Sequence, residues 1–336
     1  MTFHRSESVR RTAIIVALSG LLLAHTVALA QIVPGSMDVH WQPGATDCSA
    51  TPEKPLQVHA YNLQTFILRQ SLCADVEGNL IYLLIGSERA LLIDTGAVAD
   101  PQKMPLARLV MELLPARGDG TLPLLVVHTH HHLDHRAGDP QFRSLPAVEV
   151  VPPEENAMRQ RLGFTDWPND VVQVDLGGRT VDVIPTPGHH PTHIGFYDRQ
   201  TGLLFSGDFL LPGRLVINDL AADRKSARRL VEFFLTRPLT HVLGAHIELD
   251  AEGKAYGMGS QYHPNERRLE LSTHDLLALP TALDHFNGFY AKYPDYILAN
   301  PVHNLAAIGI ATLTSIVLLV WLVRKWRQRR RAVVSI

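Results

Sequence analysis

The chain of 336 residues carries only two cysteines, Cys48 and Cys73, and neither falls in a metal-binding spacing, so a zinc site built on thiolates is excluded. There is no internal repeat and no low-complexity tract, which rules out an array of stacked repeats and a long disordered linker. Basic charge is scarce where a nucleic acid would need it. Of 31 basic and 33 acidic residues, an N-terminal leader takes three Arg and one Glu and a C-terminal tail takes six basic residues, leaving 22 basic against 32 acidic, a net charge near −10. Such a surface repels a polyanion, and no nucleic-acid partner is expected.

Histidine, by contrast, is plentiful, with 18 residues. The densest group is Thr129-His130-His131-His132-Leu133-Asp134-His135, directly after the apolar run Leu122 to Val127. Imidazoles and a carboxylate fixed by a strand end suit zinc and its neighbours. Period-two alternation places His130 and His132 on one side, and the turn after Leu133 carries Asp134 and His135 round to face a second ion. Three more strand-like runs end in a donor. Val181 to Ile184 leads into Thr186-Pro187-Gly188-His189, Leu203 to Phe205 into Ser206-Gly207-Asp208, and His241 to Leu243 into Gly244-Ala245-His246.

In kind and order these marks resemble the metallo-β-lactamase superfamily: an aspartate after an early strand (Asp94 in Leu91-Leu92-Ile93-Asp94-Thr95-Gly96), HxHxDH, a TPGH turn, a GD and a late histidine, over roughly Gln57 to Ile247. The resemblance implies an α/β fold, the four-layer αββα sandwich. It implies that His130, His132 and His189 hold one metal, that Asp134, His135 and His246 hold the other, that Asp208 bridges them and that Asp94 supports the metal loop from behind. The expected cofactors are two divalent ions, zinc first, with iron or manganese as alternatives, and the expected partner is a small-molecule substrate. Two cations that share a water lower its pKa towards neutrality and present hydroxide to an electrophile, so the expected reaction is hydrolysis of an ester, thioester, lactone or amide bond. Asp134 is the residue expected to orient the nucleophile or take its proton. An iron-dependent redox or sulfur-oxidising enzyme, a β-lactamase and a non-catalytic metal-dependent binding domain are the alternative readings. Glyoxalase II shares HxHxDH and TPGH, but Gly207-Asp208-Phe209-Leu210-Leu211-Pro212 stands here in place of its basic, tyrosine-containing segment.

Several residues fall beside the motifs. His128 and His131 interleave with the donors and are read as structural or substrate-facing, and His193 as a hydrogen-bonding group within its loop. Arg214, just beyond Asp208, is a candidate for a substrate carboxylate. Tyr262 and His263, in the Gly-bearing loop from Gly253 to Pro264, are candidates for lining the substrate pocket.

The termini place the domain. Residues 1–30 read as a secretory leader: Arg5, Arg10 and Arg11, the apolar run Ala13 to Ala24, then Ala28-Leu29-Ala30 before Gln31, with Arg10-Arg11 admitting a twin-arginine route. Residues 31–55 read as an irregular arm and 56–300 as the hydrolase domain. Residues 305–323, uncharged from Leu305 to Val323, are long enough to cross a bilayer, and the basic tail 324–336 should remain cytoplasmic. In a bacterium this puts a single-pass protein in the inner membrane with its catalytic domain in the periplasm, a compartment that permits Cys48 and Cys73 to pair. Within the domain the pattern predicts a hairpin of Leu80 to Ile85 and Ala90 to Ile93, a helix from Pro101 to Leu114, strands at Val171 to Asp175, Val181 to Ile184, Ile194 to Asp198 and Leu203 to Phe205, and a helix from about Ala221 to Leu235. The oligomeric state is not legible.

Overall fold

Strands that are apolar at nearly every position have to be covered on both faces, and that requirement sets the architecture. The computed structural model describes residues 32–118 and 120–334; the leader read at residues 1–30 lies outside them. In the first six-stranded sheet, β1 (Leu56–Asn62), β2 (Thr65–Gln70), β3 (Leu80–Ile85) and β4 (Ala90–Ile93) are successive antiparallel neighbours. The chain then forms α1 (Leu106–Leu113) and a small hairpin of β5 (Ala116–Arg117) and β6 (Gly120–Thr121). It returns as β7 (Leu124–Val127), parallel to β4, with β8 (Val148–Val150) parallel to β7 at the edge. The helix is shorter than the pattern from Pro101 suggested, because Pro105 has no N–H to give and helical geometry begins only after it.

After α2 (Glu155–Leu162), the strands β9 (Val172–Asp175), β10 (Thr180–Pro185), β11 (Ile194–Asp198) and β12 (Leu203–Gly207) form an antiparallel meander. A short strand, β13 (Arg214–Val216), and α3 (Leu220–Phe234) precede β14 (His241–Gly244), which lies parallel to β12. The edge strand β15 (Glu270–Leu271) completes the second sheet before α4 (Thr273–Asp284). The chain then adds β16 (Tyr290–Lys292) and β17 (Ile297–Ala299), which join β13 in a three-stranded sheet in the order β13-β17-β16. The last element is α5 (Pro301–Val334).

Alternation sorts the side chains into layers. Leu80, Tyr82, Leu84, Leu91 and Ile93 face the second sheet and pack with Val181, Val183, Phe196 and Phe205. Ile81, Leu83, Leu92 and Val126 point the other way, onto Leu106 and Val110 of α1. The outer face of the second sheet, with Leu204 and Tyr197, is covered by Leu230 and Phe233 of α3 and by Leu276 and Leu279 of α4. The result is the four-layer αββα sandwich, each fully buried aliphatic side chain contributing about 1.5–3 kcal/mol to it.

One polar tie crosses the apolar layers. Arg179, buried, donates to both oxygens of Asp198, at 3.1 and 2.7 Å, to the carbonyls of Gln64 and Ile85 and to Thr65 Oγ1, so every arm of its guanidinium is used between the sheets. Removing one partner of such a pair leaves a buried charge and costs about 3–5 kcal/mol. Near the arm, Cys48 is bonded to Cys73 with Cα atoms 5.4 Å apart, which ties residues 32–55 to the loop before β3. That arm contains no regular strand, only an isolated bridge from Gly44 to Tyr262.

The last helix stands apart from this core. Its Pro301–Arg327 portion has a mean hydropathy of 2.4 over its most apolar window, none of it buried, and is long and apolar enough to cross a membrane. It begins at Pro301, earlier than the apolar run, because Asn300 caps it: Asn300 Oδ1 accepts the His303 N–H at 2.9 Å, and proline is well suited to the first helical position.

Candidate dinuclear metal centre

Five strand ends converge on one edge of the sandwich. β4 delivers Asp94, β7 the loop from His128 to His135, β10 the turn Thr186 to His189, β12 Asp208 and β14 His246. Two glycines make the close approach feasible. A Cβ at Gly188 would lie 1.9 Å from Asp223 Oδ1, and one at Gly207, which stands at φ 53°, would lie 2.8 Å from His193 Nε2.

The donors fall into two groups. In one, His132 Nδ1 lies 2.9 Å from His130 Nε2 and 3.1 Å from His189 Nε2. In the other, His135 Nε2 lies 3.1 Å from Asp134 Oδ2, and His246 Nε2 lies 3.7 Å from the same oxygen. Asp208 stands between them. Its Oδ1 is 3.4 Å from both His135 Nε2 and His246 Nε2, while its Oδ2 is 3.5 Å from His189 Nε2 and 3.9 Å from His130 Nε2. One carboxylate thus turns one oxygen to each group.

The hydrogen bonds on the far side of the rings settle which nitrogen is bare. His135 Nδ1–H donates to Asp94 Oδ2 at 2.9 Å, His189 Nδ1–H to the Val216 carbonyl at 3.1 Å and His246 Nδ1–H to the Glu77 carbonyl at 2.8 Å. In the neutral ring each of these leaves Nε2 as a lone pair aimed inward, the arrangement that a metal-binding imidazole requires. Two of the inward atoms, His135 Nε2 and Asp208 Oδ1, are buried with no hydrogen-bond partner. These unmet atoms fit a divalent cation in the second group, the three converging imidazole nitrogens of the first could hold another, and the donor set contains no thiolate.

The electrostatics carry the same demand. Burial opposes a charge on His135 and His246, yet the surrounding carboxylates together outweigh it, Asp208 with Asp94 and Asp134 at His135 and Asp208 with Asp134 at His246, and raise both, His246 to about 10. Burial would raise the Asp134 carboxyl, but His135 and His246 hold it down at about 2. His130 moves the other way, pushed well down by burial and by the positive field of His135. The second group therefore calls for positive charge around its two carboxylates, while in the first burial favours neutral rings at His130 and His132.

The remaining candidates divide clearly. Asp94 accepts the Thr129 N–H at 2.7 Å as well as His135, holding the metal loop from behind. His193 is neutral and wholly buried: its Nδ1 meets Thr186 Oγ1 at 2.7 Å, and its Nε2 accepts the Asp208 N–H at 3.2 Å. His128 is bonded to Asp139, outside both donor groups. Arg214 does not stand free for a substrate carboxylate, because it pairs with Glu248 at 3.2 Å and donates to the Tyr256 carbonyl. His263 is likewise occupied; it is buried, bonded to Glu266 at 3.0 Å and stacked on Tyr256, with ring centroids 4.0 Å apart. Tyr262 is 41% exposed, and its backbone joins the arm at Gly44. Loop composition alone did not reveal these local partners.

One neighbour of the donors escaped the motif reading. His190, next to His189, has its ring 4.9 Å from that of His132 and 5.8 Å from that of His130. Its Nδ1 accepts the Thr192 N–H at 3.1 Å, and burial, with the charges of His132 and His189, pushes its pKa down to about 4. The signal was present as a doubled histidine in Thr186-Pro187-Gly188-His189-His190.

Comparison with known proteins identifies the family. A family profile described as the metallo-beta-lactamase superfamily matches residues 74–282. A chicken (Gallus gallus) protein named acyl-coenzyme A thioesterase MBLAC2 is 28% identical over 216 residues, 54% of this chain and 77% of its own length. Hydroxyacylglutathione hydrolases of Hamiltonella defensa and Ectopseudomonas mendocina are 32% and 34% identical, over 47% and 40% of this chain. The matches cover 59% and 48% of those hydrolases, so the chain spans about half their length. A solved metallo-beta-lactamase from Pontibacter korlensis aligns at 19% identity over 69% of this chain and 100% of its own, with a TM-score of 0.44.

Proposed function

The chain belongs to the metallo-β-lactamase superfamily, and from that membership we propose that it is a dinuclear metal-dependent hydrolase of acyl esters and thioesters, held by α5 on the periplasmic face of a bacterial inner membrane. The observation that carries the proposal is the position of Asp208, one oxygen towards His135 and His246 and the other towards His130 and His189. His130, His132 and His189 would hold one ion, Asp134, His135 and His246 the other, and Asp208 both. Bound there, two divalent cations supply Lewis acidity and activate a water, the chemistry of hydrolysis.

The protein's own groups do the rest. Asp94 fixes the His135 ring so that Nε2 points inward, and His193 fixes the backbone of Asp208. Asp134, more exposed than Asp208 at 29% against 14%, would orient an attacking water or take its proton in passing. Thioesters stand first among the substrates because one relative is named a thioesterase and others are named for an acylated glutathione.

Full-length protein in detergent, loaded with zinc, manganese or iron in turn, is to be assayed against ester, thioester, lactone, amide and β-lactam panels. Chelator-sensitive cleavage of an acyl ester or thioester, lost in Asp208→Asn, is the expected result. A fully metallated protein that cleaves none of the acyl substrates overturns the proposal.

A further inference from the structure

We infer that the exposed edge formed by Phe289, Tyr290 and Lys292 is a membrane-seating surface, resting in the headgroup region of the bilayer that α5 enters and holding the metal centre at the lipid surface. The inference rests on the reading of α5 as a membrane span and adds to it a fixed pose of the domain.

The chain allows almost no slack between domain and helix. β17 ends at Ala299, Asn300 is the cap and Pro301 is already helical. The first turn is then bonded sideways to the strand edge. The Phe289 carbonyl accepts both the Asn300 N–H, at 3.0 Å, and the Asn304 side-chain N–H, at 3.1 Å, while His303 Nδ1–H donates to the Gly288 carbonyl at 2.8 Å. A helix tied in this way does not swing as on a flexible linker, so the bilayer plane is fixed relative to β16.

Depth follows from the register. The apolar run starts at Leu305, one residue beyond Asn304, so the Phe289 carbonyl lies within about one helical turn of the hydrocarbon edge. The Phe289 ring is 5.9 Å from that of His303. In β16, Ala291 faces the core, which leaves Tyr290 and Lys292 outward; Phe289 and Tyr290 are 45% and 51% exposed. Tyr290 and Lys292 are of the kinds that settle at the level of lipid headgroups, tyrosine for its mixed polarity and the ammonium for anionic lipid, and the apolar Phe289 ring gains by sinking towards the hydrocarbon edge. Solvent alone gives no reason for two adjacent aromatic rings to be uncovered beside an apolar helix.

The metal centre lies at the same end of the small sheet. β13 and β17 are parallel, Val216 pairs with Ala299, and the Val216 carbonyl is the acceptor for His189 Nδ1–H. From His189 to the first turn of α5 is therefore one strand spacing and a few residues, roughly 15–20 Å. An amphipathic acyl substrate that partitions into the outer leaflet would have to rise only about that distance, roughly 15–20 Å, to meet the donors.

The test uses full-length protein in lipid nanodiscs, with cysteines introduced one at a time at Phe289, Tyr290 and Lys292 and labelled with an environment-sensitive fluorophore. Leu63, in the β1–β2 turn at the opposite end of the strands, provides the control. Carbonate extraction of cell membranes is run in parallel. Labels at Phe289→Cys and Tyr290→Cys should shift to the blue and lose most of their emission to a lipid carrying a nitroxide near its headgroup, while the label at Leu63→Cys should not respond. If carbonate leaves the protein in the membrane but the labels at 289, 290 and 292 respond no more than that at 63, the seating surface is wrong and the span stands. If carbonate extracts the protein, the span itself is wrong and the surface falls with it. Three positions guard against one label disturbing the fold.

Discussion

His135 donates its Nδ1–H to Asp94 Oδ2 at 2.9 Å, and Asp94 does this from the left-handed region of backbone space, at φ 67°. Aspartate tolerates that conformation better than most residues, and the position leaves its carboxylate beneath the metal loop, where it also accepts the Thr129 N–H. One side chain thus sets both the loop's height and the ring's tautomer.

Asp94→Asn keeps the size but loses the carboxylate, and its amide nitrogen can face a ring N–H or the Thr129 N–H without accepting from it. Metal affinity of the group containing His135 should fall about 10–100-fold, with the His130 group less affected. Competition with a chelator of known affinity measures both. Equal loss at the two groups would show that Asp94 supports the fold and not the ring.

Stoichiometry is the direct check on Asp208. The folded chain should bind two metal equivalents. Asp208→Asn should weaken both, because this residue faces both groups at 3.4 to 3.9 Å, whereas His130→Ala should remove one ion. Elemental analysis of metal-replete protein decides it, and a wild type fixed at one ion would exclude the dinuclear centre.

The donors were legible because each is a side chain at a strand end in a recognisable order; the groups that orient them were much less so. The acceptors for His189 and His246 are the carbonyls of Val216 and Glu77, and a carbonyl is present at every residue, so no residue type marks it. Arg179 and Asp198 form their pair only because β10 and β11 are adjacent. The helix α4 was hidden by Pro280 within it, although Ser272 and Asp275 form a capping box at its start. The short strands β13, β16 and β17 carry too few residues for a period to show, and yet they link His189 to the last helix.

The disulfide bears on the metal centre through the chain. Cys73 opens the loop whose Glu77 carbonyl holds His246, and Cys48 fastens that loop to the arm across 25 residues. Replacing both cysteines by serine should cost about 3 kcal/mol of stability by loop entropy. It should also loosen the ion of the His246 group in preference to that of the His130 group. Denaturant unfolding and metal titration of the double variant measure the two effects, and an unchanged ratio of the two affinities would separate the disulfide from the centre.

A pH signature should come from Asp223, which accepts the His189 N–H behind the TPGH turn. Burial, with repulsion from Asp219, holds its carboxyl well above the ordinary 3.8. Below pH 3.8 the folded and unfolded chains both carry the proton, and the group adds no slope. Above it the unfolded chain ionises first, so stability falls as pH rises, until the folded carboxyl ionises as well. Asp223→Asn removes this term. Its stability relative to the wild type should therefore grow above pH 3.8 and then level off. A difference that is flat across the whole range, in denaturant unfolding at a series of pH values, would mean that the folded carboxyl is not shifted.

The position at which the chain is cut ahead of the apolar run should decide how much of the domain's stability survives. A truncation after Asn300 removes the span but also removes His303 and Asn304, which donate to the carbonyls of Gly288 and Phe289. Ending the chain at Asn304 keeps both bonds and the Asn300 cap while still deleting the apolar run from Leu305. Each lost bond is worth about 0.5–1.5 kcal/mol, and the small sheet they brace carries Val216, the acceptor for His189. Both truncated proteins should leave the membrane fraction. The longer should keep its metal and its melting temperature, whereas the shorter should melt lower and lose the His189 ion first. Fractionation, thermal unfolding and metal analysis of the pair provide the comparison, and two products of equal stability and metal content would show that the link from α5 to the centre carries no weight.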